Sequence, residues 1–245
     1  MVLGVRKHGE TSVIAELMTL EKGRHLGLVQ GGRSRTMRPV LQPGNSVKAT
    51  WRARLEDHLG QFRIEGETLR AAQLMDIRHG LYALQTLSSH LRLLPERDAH
   101  PALYRSLIVV LDHLQDPFIG TELLVRFEMA VLEELGFGID LSCCAATGTT
   151  ENLLYVSPKS GRAVSEEAGE PYRDKLLALP SFLRNRHSAP IAMASLDDLT
   201  DGMALTAHFL DRHVMVPRGL TMPPERAAFL RSIKKQAEGA NDGDD

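Results

Sequence analysis

The spacing of apolar residues changes once along this chain, and that change limits the fold more than any single motif. Up to about residue 70 they recur every second position; after residue 72 they recur at helical intervals. Side chains of a strand alternate between two faces, whereas those of a helix return every 3.6 residues. The chain therefore reads as α+β, with β structure first and α structure after it. The clearest alternation runs from Ser46 to Glu56. Val47, Ala49, Trp51, Ala53 and Leu55 fall on one face, and Lys48, Thr50, Arg52 and Arg54 on the other. The first face is expected to pack and the second to form a positive ridge.

Four further strands are expected at Val2–Lys7, Ser12–Thr19, Arg24–Gln30 and Gln61–Glu67. Glu21-Lys22-Gly23 and His58-Leu59-Gly60 read as turns between them. Five short strands in about seventy residues fit a small barrel. The five-stranded OB-fold leads, with an SH3-like barrel as the other solution.

The second part reads as helices. Leu74, Ile77, Leu81, Leu84, Leu87, Leu91 and Leu94 keep helical spacing until Pro95, and a second helix begins at Asp98. Thr121–Leu135 is the strongest amphipathic run, and Gly136 and Gly138 end it. Residues 140–171 form a non-helical insert. Helices resume near Arg173, with one from Ser195 to Met215 and a last one from Pro223-Pro224 through Lys235. The expected domains are thus residues 1–72, a helical domain over 73–236 carrying the insert, and a disordered acidic tail over 237–245.

Charge is segregated along the chain. Residues 1–54 carry ten Lys or Arg and three acids, a net +7, so the rest of a chain of formal net charge −2 carries −9. The Lys22–Arg54 stretch adds a glycine-flexible basic loop, Gly31-Gly32-Arg33-Ser34-Arg35-Thr36-Met37-Arg38, beside the basic strand face. This pattern points to a polyanion as partner for the first domain. The residues expected to contact nucleic-acid phosphates are Arg6, Lys7, Arg24, Arg33, Arg35, Arg38, Lys48, Arg52 and Arg54. Trp51 and Phe62 are the aromatics of residues 1–70, and alternation puts both on the packed face. Such a surface is expected to grip backbone with weak sequence preference, on single and double strands alike.

Catalytic signatures are absent from the sequence. It holds no G-x-S-x-G and no phosphate-binding G-x-x-x-x-G-K-[ST]. Its ten histidines are scattered. No covalent catalysis and no cofactor are expected. Cys143 and Cys144 open the insert as a zinc ribbon would, but the half that should close the site, SGRAVSEEAGEPY, has neither Cys nor His. The pair reads as the remnant of a degenerate zinc ribbon, with no metal. Two adjacent cysteines without a second pair suit a reducing cytoplasm. No apolar run reaches membrane-span length, and the N-terminus lacks a signal-peptide core.

The run GVRKHGETSVIAELMTLEKGRHLGLVQGGRS resembles the N-terminal signature of the bacterial recombination mediator RecO family. The LQPG at Leu41–Gly44 and the segment ELLVRFEMAVLEELGFGIDLSCCAATG are also similar to it, in matching order over nearly the whole chain. The resemblance implies an OB-fold N-terminal domain, a helical C-terminal domain and no covalent catalysis. It implies binding and annealing of DNA and, with RecR, assistance in loading RecA onto DNA coated by single-strand-binding protein (SSB). It implies contact of the helical domain with the acidic SSB tail, in the cytoplasm at the nucleoid. Many members carry four cysteines in the insert where this chain has two. Members also carry several residues before the first strand, so either that strand is short here or the chain begins upstream of Met1. Two other readings stay open: an OB-type module acting on RNA, or, following the resemblance, an SSB-binding assembly adaptor.

Overall fold

The computed structural model describes residues 1–55, 57–184 and 194–241. The chain forms two compact units, Met1–Asp112 and His113–Asp245.

The first unit is built on a five-stranded sheet: β1 (Val2–His8), β2 (Ser12–Thr19), β3 (Gly23–Val29), β4 (Ser46–Arg52) and β5 (Gln61–Thr68). A single turn of helix, α1 (Met37–Val40), lies between β3 and β4. The strand order is β1-β2-β3-β5-β4, with β3 and β5 parallel through Leu28 and Gln61. This crossed order is that of the OB-fold. The starts of the two edge strands meet: Val2 N–H donates to the Asn45 carbonyl at 2.8 Å, and Gly44 N–H donates to the Val2 carbonyl at 2.9 Å. The sheet thus curls around an apolar core of Val2, Val13, Ala15, Leu17, Val29, Leu41, Phe62 and Ile64. Gly27 allows the curl, because a Cβ there would lie 2.5 Å from the Phe62 ring.

β1 is seven residues long and fully formed. β4 stops at Arg52, short of the expected run to Glu56, which itself lies outside the described residues. Leu55 accordingly sits exposed in the following bend and not on the packed face.

Three helices complete this unit: α2 (Ala71–Asp76), α3 (Gly80–Leu91) and α4 (Pro101–Asp112). The single helix expected from Leu74 to Leu94 is two. Ile77 is extended, at φ −83° and ψ 120°, which ends α2. Gly80 then starts α3 so close to α2 that a Cβ would meet the Leu74 carbonyl oxygen at 2.3 Å. Asn45 ties these parts together while almost fully buried. Its side-chain amide donates to the Pro39 and Val40 carbonyls, and its carbonyl accepts from Ala71 N–H at 2.9 Å.

The second unit starts with α5 (Pro117–Glu134), whose first turn is capped by the Asp116 carboxylate accepting from Phe118 and Ile119 N–H. The insert follows as a three-stranded sheet of β6 (Leu153–Val156), β7 (Ala163–Ser165) and β8 (Leu177–Ala178), in the order β7-β6-β8. A short α6 (Glu166–Gly169) and a 3₁₀ turn, Glu170–Lys175, separate β7 from β8. α7 (Leu196–Leu210) opens with a capping box between Ser195 and Asp198 and runs into a π-helical turn, Asp211–Met215. α8 (Pro224–Asn241) continues beyond the expected Lys235 and through part of the expected tail; residues 242–245 lie outside the described residues. Helices α5, α7 and α8 meet at a buried ion pair. Arg226 Nε and Nη2 donate to the two Glu128 oxygens at 2.7 and 2.8 Å, and Nη2 also donates to Thr206 Oγ1 at 2.9 Å. Burying two charges is tolerated because each is paired and hydrogen-bonded.

Candidate nucleic-acid interface

The antiparallel register of β4 and β5 sets Lys48 opposite Glu65, Thr50 opposite Arg63 and Arg52 opposite Gln61. All six are exposed on the outer face of the sheet. With Gln30 and Met37 from the β3–β4 connection they border a groove of about 630 Å³. The connection is a braced loop. Arg33 N–H donates to the Thr11 carbonyl at 3.0 Å, and its guanidinium donates to the Gly9 and Glu10 carbonyls. Arg33 thus stays exposed while holding the β1–β2 turn against the loop. Arg35 and Arg38 are exposed on the same loop.

Among the described residues, Arg6, Lys7, Arg35, Arg38, Lys48, Arg52 and Arg54 make no ion pair. None of them is held in a close pair, although Glu65 stands opposite Lys48 in the register and lines the same groove.

The expected residues do not form one patch. Lys48 and Arg52 line the main groove. Arg54, in the bend after β4, borders an adjoining hollow of about 340 Å³ with Arg52, His58 and Gln61. Arg6 lies instead at a separate cleft of about 250 Å³ with Glu16, Leu26 and Arg92. Arg24 belongs to the framework. Its guanidinium is 3.2 Å from Glu16, which also meets Arg92 at 2.8 Å. Arg63 is the groove residue that the expected set omitted. Its side chain is 85 % exposed, and its one ion pair, with Glu65, is long at 3.9 Å. Its outward place in the alternation of β5 was the available signal.

The aromatics divide. Phe62 is buried in the core. Trp51 is only partly buried, although it lies on the inner face. His25 packs beside it with ring centroids 5.0 Å apart, and the Arg97 guanidinium lies 5.2 Å from the indole centroid.

The cysteine insert does not fit a metal. Cys144 Sγ is buried and accepts from Ser165 N–H at 3.3 Å and from Ser165 Oγ at 3.4 Å. Burial would raise this thiol, but hydrogen bonds from Ser165 and Thr147 bring it down to about 6. Cys143 Sγ faces the Arg162 guanidinium at 3.7 Å. Among the described residues no group of three or more His, Cys, Asp or Glu could hold a metal ion. Backbone pairing and the Ser165 contacts hold the insert together where four thiolates would otherwise close it.

Among the described residues, no helix is long and apolar enough to cross a membrane. Two family models match. The one described as recombination protein O N terminal covers residues 1–70, and the one described as recombination protein O C terminal covers residues 76–220. Together they place the chain among DNA repair and recombination proteins with an OB-fold sheet followed by helices. It is 58 % identical over 232 residues to the DNA repair protein RecO of Methylorubrum populi, covering 94 % of each chain. It is 55 % identical over 241 residues to that of Sinorhizobium medicae, covering 98 % of this chain and 95 % of the relative. For the Bartonella tribocorum protein of the same name the identity is 54 % over 236 residues, with 96 % and 94 % covered. The chain belongs to the RecO family. Its two family segments divide near residue 70, whereas helices α2–α4 pack with the sheet in the first compact unit.

Proposed function

We propose that this chain binds single- and double-stranded DNA through the basic groove of its first unit and anneals complementary strands. With RecR it helps load RecA onto DNA coated by SSB, whose acidic tail meets the helical domain. On this reading the protein is a recombination mediator with no covalent chemistry of its own, acting in the cytoplasm at the nucleoid. One observation carries the proposal: Lys48, Arg52 and Arg63 line an exposed groove on an OB-type sheet, and the loop that reaches it through Met37 carries the exposed Arg35 and Arg38. Such a surface tracks a phosphate backbone and reads little sequence. Covering two strands with cations also lowers the repulsion that opposes their pairing.

The test is fluorescence anisotropy of labelled single-stranded DNA across a salt series, with an RNA of the same sequence alongside. Reversing Arg33, Arg35 and Arg38 to Glu is expected to weaken binding across all DNA sequences and to flatten the salt dependence. Unchanged affinity and slope would place the interface elsewhere. Preference for RNA would favour a translation-type module, and SSB-tail binding without DNA affinity an adaptor.

A further inference from the structure

A filled small barrel would bury the inner faces of all its strands. Here the inner residues of β4, namely Val47, Ala49 and Trp51, are only partly buried. They face a cavity of about 890 Å³ that opens between the β2–β3 hairpin and β4. Its lining mixes aromatic and charged groups: Trp51, His25, Phe62 and Tyr104 with Lys22, Lys48, Arg97 and the acids Glu21 and Glu67. An apolar ligand would leave those charges facing it, and a simple anion would leave the aromatic surface unused.

Trp51 is fixed in place. Its indole N–H donates to the Leu59 carbonyl at 3.0 Å, and His25 supports it. His25 is in turn packed on Phe62 with centroids 5.3 Å apart. Arg97 is held over the indole by a backbone that L residues rarely adopt, with φ at 64°. Its N–H donates to the Arg24 carbonyl at 2.8 Å and its guanidinium to the His58 carbonyl at 2.6 Å. A positive φ at a side-chain-bearing residue is costly, and such strain collects where a side chain must be presented. What it presents here is a planar cation against the one tryptophan of the chain. Aromatic rings and guanidinium planes are the two surfaces on which proteins stack nucleobases.

The cavity also adjoins the basic groove, for Lys48, Thr50 and Phe62 border both. A strand held by its phosphates in the groove has a base within reach of the opening. We propose that this cavity is a nucleobase pocket, which takes one unstacked base of single-stranded nucleic acid onto Trp51. At 5.2 Å the guanidinium leaves no room for a ring between itself and the indole. The entering base therefore has to displace the Arg97 guanidinium from the indole and break its hydrogen bond to the His58 carbonyl. A paired base stays stacked in its duplex, so the pocket favours single strands over double strands. The inference rests on the nucleic-acid reading above.

The single tryptophan makes the test direct in the full chain. Three ligands are titrated: an oligothymidylate of about fifteen nucleotides, within the span one OB-fold covers, an abasic oligonucleotide of the same length, and a duplex. Anisotropy of a label on the nucleic acid reports binding, and intrinsic fluorescence reports Trp51. The expected result is binding of all three, with the fluorescence quenched by the base-bearing single strand alone. Trp51→Leu is expected to weaken single-strand binding about tenfold, leave duplex binding unchanged, and be largely rescued by Trp51→Phe. Binding with no quenching, or with equal quenching by the abasic strand, would overturn the pocket and leave the groove standing. No binding of any ligand would overturn both. The fluorescence arm needs no variant, so a Trp51→Leu protein that fails to fold does not remove the test.

Discussion

At the scale of residues, exposure and charge do not by themselves mark a phosphate contact. Arg24 and Arg63 are both arginines on outer strand faces, yet one is paired with Glu16 at 3.2 Å and the other is 85 % exposed in the groove, with a long contact to Glu65 at 3.9 Å. Arg24→Ala is expected to lower the urea midpoint while leaving the slope of log affinity against log salt unchanged. Arg63→Ala should do the reverse, reducing that slope by about 0.7 to 0.9, one phosphate contact. Both readings come from one anisotropy series and one denaturation curve per variant. His25 gives a pH signature. Burial lowers its pKa from the ordinary 6.5, and the nearby Arg97 charge adds to this. The folded protein thus binds fewer protons than the unfolded chain below about pH 6.5, so stability falls as pH falls through that window. His213, also lowered by burial, has the same sign. The loss of stability between about pH 7.5 and about pH 5.5 is expected to be smaller in His25→Phe than in the parent, measured by urea denaturation.

At the scale of elements, one buried side chain does the work of a linker. Asn45 joins α1, the start of β4 and the start of α2 through three hydrogen bonds. Asn45→Ala leaves an N–H and two carbonyls without these partners. It is expected to cost about 2 kcal/mol or more, read as a lower denaturation midpoint. The five strands were legible because alternation has a period no helix shares. The fate of Arg24 was also within reach: the Thr19–Gly23 turn sets the register in which Met18 faces Arg24, putting Glu16 diagonally beside it. The groove was legible only in part. Lys48 and Arg52 follow from one strand, but Arg63 joins them through the β4–β5 pairing, and spacing along the chain does not give the pairing of separate strands. Alternation likewise assigned Trp51 to the inner face, but it says nothing about whether that interior is filled. The division of one expected helix into α2 and α3 was hidden because both halves share a continuous leucine period.

At the scale of the molecule, the +7 of residues 1–54 against the −9 of the remainder predicts how binding responds to ionic strength. If about six cations neutralise phosphates, affinity for duplex DNA should fall by about three decades between 50 and 200 mM salt. A fall of less than one decade would mean that the charge segregation does not drive binding. The acidic remainder keeps the whole chain near neutrality, at a formal net charge of −2.

The same charges bear on a different hazard. Beyond the Val2 bonds to Gly44 and Asn45, β1 and β4 remain the two outer strands of the sheet. Outer strands offer unpaired N–H and C=O groups to any passing chain. Arg6 and Lys7 stand on one of them, and Lys48 and Arg52 on the other. Two copies approaching edge to edge would bring cation against cation. On the reading proposed above, the cations that would hold a polyanion would also oppose edge-to-edge pairing of two copies.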